Sequence, residues 1–160
     1  QVMGEICGYA AATDVHHLTQ PHPEGIAALD TMDRACKIAG LVPESIQYIN
    51  AHGTGTPHND AAETMAINRW AGDWASRLMV SSTKANVGHL LGAAGAVEIG
   101  VCLMALAGQW IPPMKTCQTL DPLCRFNAVT RPTDAALEYV MSNSFGFGGA
   151  NASVVVRRGS

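Results

Sequence analysis

Apolar residues recur along this chain with two periods, and each period predicts an element. From Gly25 to Ala39, Ile26, Leu29, Met32, Cys36 and Ala39 fall at three- and four-residue steps, with Asp33 the one polar residue on the stripe. That spacing predicts a helix, which Gly40 ends. Met3 to Ala12 reads as a strand, and Thr13 to Glu24 as a loop holding His16, His17 and His22. Pro43-Glu44-Ser45 leads into a short strand, Ile46 to Asn50. The turn from Asn50 to Pro57 places Thr56 to cap a helix with Pro57 at its first position. That helix runs to about Trp70, with Asp60-Ala61-Ala62-Glu63 as a competing start signal. Ser76 to Thr83 contains the next strand, Lys84 to His89 a loop, and Gly92 to Ala107 a long helix. A Pro-bearing connection, 109–131, precedes a strand over Leu137 to Met141. Ser142 to Asn151 is a glycine-rich turn, and Ala152 to Val156 a last strand.

The order β-α-β-α-β-α-β-β predicts an α/β fold, a mostly parallel five-stranded sheet with helices on both faces. Such sheets bind ligands beyond the carboxyl ends of their strands. His52, the pair Lys84 and His89, and the glycine turn follow the second, third and fourth strands. If those strands are parallel, all three segments meet at one edge. The helix from Gly92 to Ala107 is apolar nearly all round, so it must be covered on more than one side. A small sheet covers only one, and another chain or segment is expected on the other.

At 160 residues the chain has the size of one domain, 1–160. It begins at Gln1, which reads as a piece of a longer or processed protein. Apolar residues make up 48% and charged residues 14%, with net charge −3. The charge carries no sign of nucleic acid binding. Leu90 to Ala107 is short for a membrane span and holds Glu98, so no span is expected. Five cysteines without a C-x-x-C pair argue for reduced thiols, in the bacterial cytoplasm or an organellar interior. The three-histidine loop matches no familiar zinc spacing, and no metal is expected. Gly146-Phe147-Gly148-Gly149-Ala150-Asn151 lacks the last glycine of a dinucleotide fingerprint and leads into a strand, which argues against a nucleotide.

The chemistry-bearing stretch is Ser81 to Glu98. Lys84 follows a β-prone run, His89 stands near the start of the apolar helix, and Glu98 sits inside it. A carboxylate among aliphatics needs a partner, and Lys84 is the nearest cation in sequence. Taken alone, the two read equally as a structural ion pair. His89, in the first turn of a helix, would face the positive end of its dipole and stay neutral, able to donate one hydrogen bond to an oxyanion or enolate.

Three motifs carry a resemblance. They are Asn50-Ala51-His52-Gly53-Thr54-Gly55-Thr56, Lys84-x-x-x-Gly88-His89-Leu90-x-Gly92-Ala93-Ala94-Gly95 and Asn143-Ser144-Phe145-Gly146-Phe147-Gly148-Gly149-Ala150-Asn151. In order and spacing the chain resembles the C-terminal half of the β-ketoacyl–acyl carrier protein synthases, of the thiolase superfamily. Pro57 and Leu90-Leu91-Gly92 are closer to the free-standing type II elongating enzymes, and Gly55 and Asn86 to polyketide modules. The resemblance implies the second unit of an α-β-α-β-α fold. It implies a decarboxylating Claisen condensation of malonyl-acyl carrier protein with an acyl thioester. His52 and His89 correspond to the histidines of a Cys-His-His triad, and Lys84 and Glu98 to its supporting pair. Thr54 and Thr56 correspond to a pair that hydrogen-bonds phosphopantetheine. Phe145 corresponds to a gating ring, flanked by Gly146 and Phe147 in the substrate loop. The nucleophilic cysteine belongs to the N-terminal half, and none of the five cysteines here matches it. Implied partners are that half, acyl carrier protein and a second copy of the complete unit; no cofactor is implied beyond the carrier's phosphopantetheine. Two other readings are a non-catalytic partner of the chain-length-factor kind and a stand-alone acyl or pantetheine binding module.

Overall fold

The computed structural model describes residues 2–160. The elements follow in chain order as β1 (Gly4–Thr13), α1 (Ile26–Ile38), β2 (Tyr48–Asn50), α2 (Pro57–Ala71), β3 (Met79–Ser81), α3 (Lys84–Val87), α4 (Ala94–Gly108), β4 (Trp110–Ile111), β5 (Asn127–Ala128), β6 (Thr133–Asp134), β7 (Tyr139–Phe145) and β8 (Ala150–Arg158). Among the described residues the main sheet has six strands in the order β1-β8-β7-β2-β3-β5. The pairings β7–β2, β2–β3 and β3–β5 are parallel, while β1–β8 and β8–β7 are antiparallel. The five expected strands all join this sheet, and β5 adds a sixth. Two residues inside a Pro-bearing connection are too few to show an alternating pattern, which is why the sequence hides it. β4 and β6 form a separate antiparallel pair.

Side-chain alternation splits the core into two layers. Ile49, Met141 and Val155 face α1 and α2, packing with Met32, Ala35, Ala66, Ile67 and Trp70. Tyr48, Val140 and Val156 face the other way, against Cys102, Ala105 and Leu106 of α4. Helices therefore lie on both faces, as the alternation of elements requires.

Helix α4 buries Ala94, Glu98, Cys102, Ala105 and Leu106, a stripe at three- and four-residue steps against β7 and β8. Its opposite side is open: Met104 is 58% exposed, Val97 is exposed, and Leu91 in the preceding turn is 79% exposed. By length and composition Leu91–Gly108 could cross a membrane. Its buried stripe instead packs on the sheet and carries an ion-paired carboxylate, which is the pattern of a core helix covered on one side.

Candidate active site

The parallel strands β2 and β3 end level at Asn50 and Ser81, and β7, whose Ser142 is in register with Asn50, runs on three residues to Phe145. The chain beyond each end delivers one part of the site: His52 after β2, Lys84 after β3, and Phe145 at the end of β7. The convergence expected from element order is what the sheet produces.

Two loops fix His52. Its backbone N–H donates to Glu63 Oε1 and the Gly53 N–H donates to Glu63 Oε2, both at 2.9 Å. Ser82 Oγ donates to the Gly53 carbonyl at 3.0 Å. Gly53 has φ +41°, and a Cβ there would lie 2.4 Å from the Ser82 Cβ, so only glycine lets the loops meet. The His52 ring is 7% exposed. It stands edge-on to His89, centroids 5.7 Å apart at 86°, and tilted against Phe145 at 5.4 Å. Burial lowers the His52 pKa to about 3, helped by the positive charge of Lys84 and by His89. At neutral pH the ring is therefore an uncharged hydrogen-bonding group.

His89 is exposed and follows α3, not the first turn of the long helix. That expectation is corrected: a tight turn over Leu91–Ala93 intervenes, and α4 begins at Ala94. The donor role arises differently. His89 Nδ1 accepts the Leu91 backbone N–H at 3.1 Å, which leaves Nε2 as the protonated nitrogen.

Lys84 and Glu98 form a buried ion pair, with Lys84 Nζ donating to Glu98 Oε1. Burial pushes the Glu98 carboxyl up, against the opposing pull of Lys84, His89 and Ser144. Helix α4 approaches β7 closely here: a Cβ on Gly95 would lie 3.2 Å from Ser144 Oγ. Among the described residues Glu98 Oε2, His52 Nδ1, Thr83 Oγ1, Ser142 Oγ and the Asn50 amide are buried without a hydrogen-bond partner. The site edge thus carries polar capacity that the chain does not satisfy itself.

Thr54 and Thr56 hydroxyls lie 2.9 Å apart. They open onto a cleft of about 800 Å³ also lined by Lys84, His89, Met114 and Leu123. Thr56 does occupy the N-cap of α2, but its hydroxyl caps nothing in the helix and goes to Thr54 instead.

The glycine turn separates residues the sequence grouped. Phe145 is in the β7 ladder opposite Asn151 and half-buried against His52. Phe147 stands 83% exposed on the turn, flanked by Gly146 and by Gly148 at φ +80°. The ring expected as a gate, Phe145, is thus the one packed on His52, while Phe147 stands in the open beside it. The turn rests on the loop after β1: the Asp14 N–H donates to the Gly149 carbonyl and the Gly148 N–H to the Leu18 carbonyl, both at 2.7 Å.

Glu63, which the motifs do not single out, holds the His52 loop through two backbone N–H groups. Asp60-x-x-Glu63 resembled a helix start, but α2 begins earlier, at Pro57. Glu63 therefore lies nearly two turns inside the helix, 4% exposed and aimed at the end of β2. A carboxylate at an otherwise buried helix position was the available signal.

Comparison with known proteins now decides the family. The family described as Beta-ketoacyl synthase, C-terminal domain matches residues 3–118. The chain belongs to that family. It is 42% identical over 159 residues to the 3-oxoacyl-[acyl-carrier-protein] synthase 2 of Synechocystis sp. and 40% identical over 158 residues to that of Coxiella burnetii. These matches cover 99% and 98% of the chain but 38% of each relative. Among solved structures, a β-ketoacyl synthase from Burkholderia phymatum superposes with TM-score 0.93 at 36% identity, over all of this chain and 38% of that one. A type II PKS acyl-carrier protein in complex with its ketosynthase matches with TM-score 0.95 at 30% identity, over all of this chain and 40% of that one. The ishigamide ketosynthase/chain length factor matches with TM-score 0.93 at 32% identity, over all of this chain and 39% of that one. The fold of this β-ketoacyl synthase C-terminal domain is thiolase-like α/β, as its motifs imply.

Proposed function

We propose that residues 1–160 are the C-terminal unit of a decarboxylating condensing enzyme, completed by an N-terminal half that supplies a nucleophilic cysteine. The observation that carries this reading is the pair of imidazoles 5.7 Å apart at the carboxyl edge of three parallel strands, beside the buried Lys84–Glu98 pair.

In the proposed reaction an acyl group rides as a thioester on the cysteine of the other half. A malonyl thioester on the pantetheine arm of acyl carrier protein enters by the cleft, where Thr54 and Thr56 meet the arm. Its carboxylate leaves as carbon dioxide, and the electron pair of the broken bond passes into an enolate. The enolate carbon attacks the acyl thioester, expelling the cysteine thiolate and giving a β-ketoacyl thioester. The demanding charge sits on the thioester oxygen. Two imidazole donors sharing one oxygen must converge on it from the same side, and the two rings stand edge-on to one another at the same strand edge. Lys84 helps to hold His52 uncharged. Glu98 anchors Lys84 in turn. No step calls for an organic cofactor other than the carrier's own arm.

The chain-length-factor alternative draws on the ishigamide complex among the similar structures. The intact set of His52, Lys84, His89 and Glu98 favours the enzyme, since catalytic constellations act as units. The residue at the nucleophile position of the preceding half separates the two: cysteine supports the enzyme, any other residue the partner. A His89→Ala change in the complete protein is expected to lower malonyl decarboxylation and condensation by about 10²–10³ while the melting curve stays in place. Rates near wild type would overturn the assignment.

A further inference from the structure

A chain of buried polar side chains runs from α1 to the backbone of His52. Thr31 Oγ1 lies 3.0 Å from Ser153 Oγ, and Ser153 Oγ donates to Asn143 Oδ1 at 2.8 Å. That bond fixes which way the Asn143 amide points, so its Nδ2 faces Glu63 Oε1 at 3.4 Å, with Met32 Sδ at the same distance. Glu63 then accepts the backbone N–H groups of His52 and Gly53. Thr31, Asn143 and Ser153 have no exposed surface. Three core positions on three elements are occupied by small polar residues where apolar ones would fill the space at lower cost. Thr31 Oγ1 also reaches the Ala28 carbonyl of its own helix at 2.9 Å, and the bonds from Ser153 and Asn143 lead on to one carboxylate that has no cationic partner.

We propose that Asn143 is a positioning residue for the condensation: held by Ser153 and Thr31, it keeps Glu63 oriented and ionised, and Glu63 in turn keeps His52 at the carboxyl edge. This inference rests on the condensing reading above. A carboxylate accepting four N–H groups, from His52, Gly53, Asn143 and Asn59, is stable as an anion only while they stay aimed. Burial pushes the Glu63 carboxyl up, and the bonds from Gly53, His52 and Asn143 oppose that, in this order. The titratable neighbour is Asp60 on the same helix, which pushes the same way as burial. The group that β7 presents to Glu63, the Asn143 amide, is neutral, as are its own neighbours Met32 and Ser153. The nearby imidazole of His52 stays uncharged until far into the acid range. If Glu63 takes a proton, one oxygen becomes a donor and a weaker acceptor, and the backbone N–H group facing it is held less firmly. His52 then shifts.

The test uses the complete synthase with its preceding half. Wild type is compared with Asn143→Leu, Ser153→Ala and Glu63→Gln, through kcat against pH and through the infrared carbonyl band of the protonated Glu63 carboxyl, assigned by its absence in Glu63→Gln. Removing the Asn143 donor is expected to lower kcat about 10–100-fold, the effect of a small misplacement of a reacting group. It should also move the acid limb of kcat, and the infrared titration, upward by about one pH unit. Ser153→Ala should shift both the same way by less. Glu63→Gln should abolish the limb. An Asn143→Leu enzyme that melts earlier but keeps the wild-type acid limb would overturn the proposal and leave Asn143 merely structural. Should Asn143→Leu not fold, Ser153→Ala decides alone: an upward shift supports the proposal and an unmoved limb overturns it. A wild-type protein that does not condense, with an infrared titration that still shifts, would sink the condensing reading and leave the Asn143–Glu63 link standing.

Discussion

Replacing Lys84 by methionine tests the buried pair most severely. Lys84 and Glu98 side chains are 5% and 3% exposed, so the change leaves a carboxylate in the core with its cation gone. Breaking a buried pair from one side costs about 3–5 kcal/mol, whereas removing both charges with a good fit costs little or nothing. Lys84→Met should therefore lose about 3–5 kcal/mol at pH 7.5, and Lys84→Met with Glu98→Leu should recover most of it. The pH dependence has a definite sign. In Lys84→Met, burial holds the folded Glu98 carboxyl above its unfolded value, with the largest opposing pull gone. The folded state then binds the proton that the unfolded state lacks, and each unit of that gap destabilises the fold by about 1.4 kcal/mol above both values. The single variant should therefore regain stability as pH falls through the folded carboxyl's value, and the double variant should not. Both should stay slow, because Lys84 also helps to hold His52 uncharged. Urea denaturation of the complete enzyme at several pH values, with a condensation assay alongside, measures all of this. A single variant within about 1 kcal/mol of wild type at pH 7.5 would refute the reasoning, since no buried charge is orphaned that cheaply.

Other outcomes follow from the same geometry. By imidazole NMR, His52 should remain uncharged at pH 5 and titrate near its lowered value of about 3. Since the unfolded ring takes its proton near ~6.5, this residue's stabilisation should be present above that pH and lost as pH falls toward 3; a ring titrating at 6 would contradict its burial. Phe147→Ala should leave the melting temperature nearly unchanged and alter kcat/KM for long acyl substrates. Phe145→Ala should destabilise by about 2 kcal/mol, less than a fully buried ring. Equal melting effects of the two would contradict the difference in their packing. The open side of α4 predicts that this chain alone binds a hydrophobic dye and associates, since exposed apolar patches of several hundred Å² mark interfaces. A dye-silent monomer by sedimentation, with a cooperative melt, would show that the face needs no partner.

The frame of the site was legible because it depends on element order. Strands separated by helices run parallel, and parallel strands deliver their following loops to one edge; that alone brought His52, Lys84 and the glycine turn together. Glu98 was legible as a carboxylate where hydrophobic spacing forbids one. What stayed hidden depends on direction within an element. The start of α2 at Pro57 was legible, but spacing alone does not say that Glu63 turns inward to accept the backbone N–H groups of His52 and Gly53. Asn143, Ser153 and Thr31 are ordinary polar residues until the antiparallel pairing of β7 with β8 sets Asn143 opposite Ser153. Phe145 and Phe147 are two residues apart, and only the end of the β7 ladder seats one against His52 and leaves the other exposed. His89 kept its expected donor character by a different route, an Nδ1 occupied by a turn N–H in place of a helix dipole.

The central claim is that His52 and His89 share one substrate oxygen. A crystal structure of the complete enzyme with a non-decarboxylating malonyl-pantetheine analogue measures that directly. Both imidazoles are expected to place a nitrogen at ~2.7–3.1 Å from the thioester oxygen, with the arm passing Thr54 and Thr56. A thioester oxygen held by neither ring, or by backbone groups with the two histidines turned elsewhere, would contradict the account.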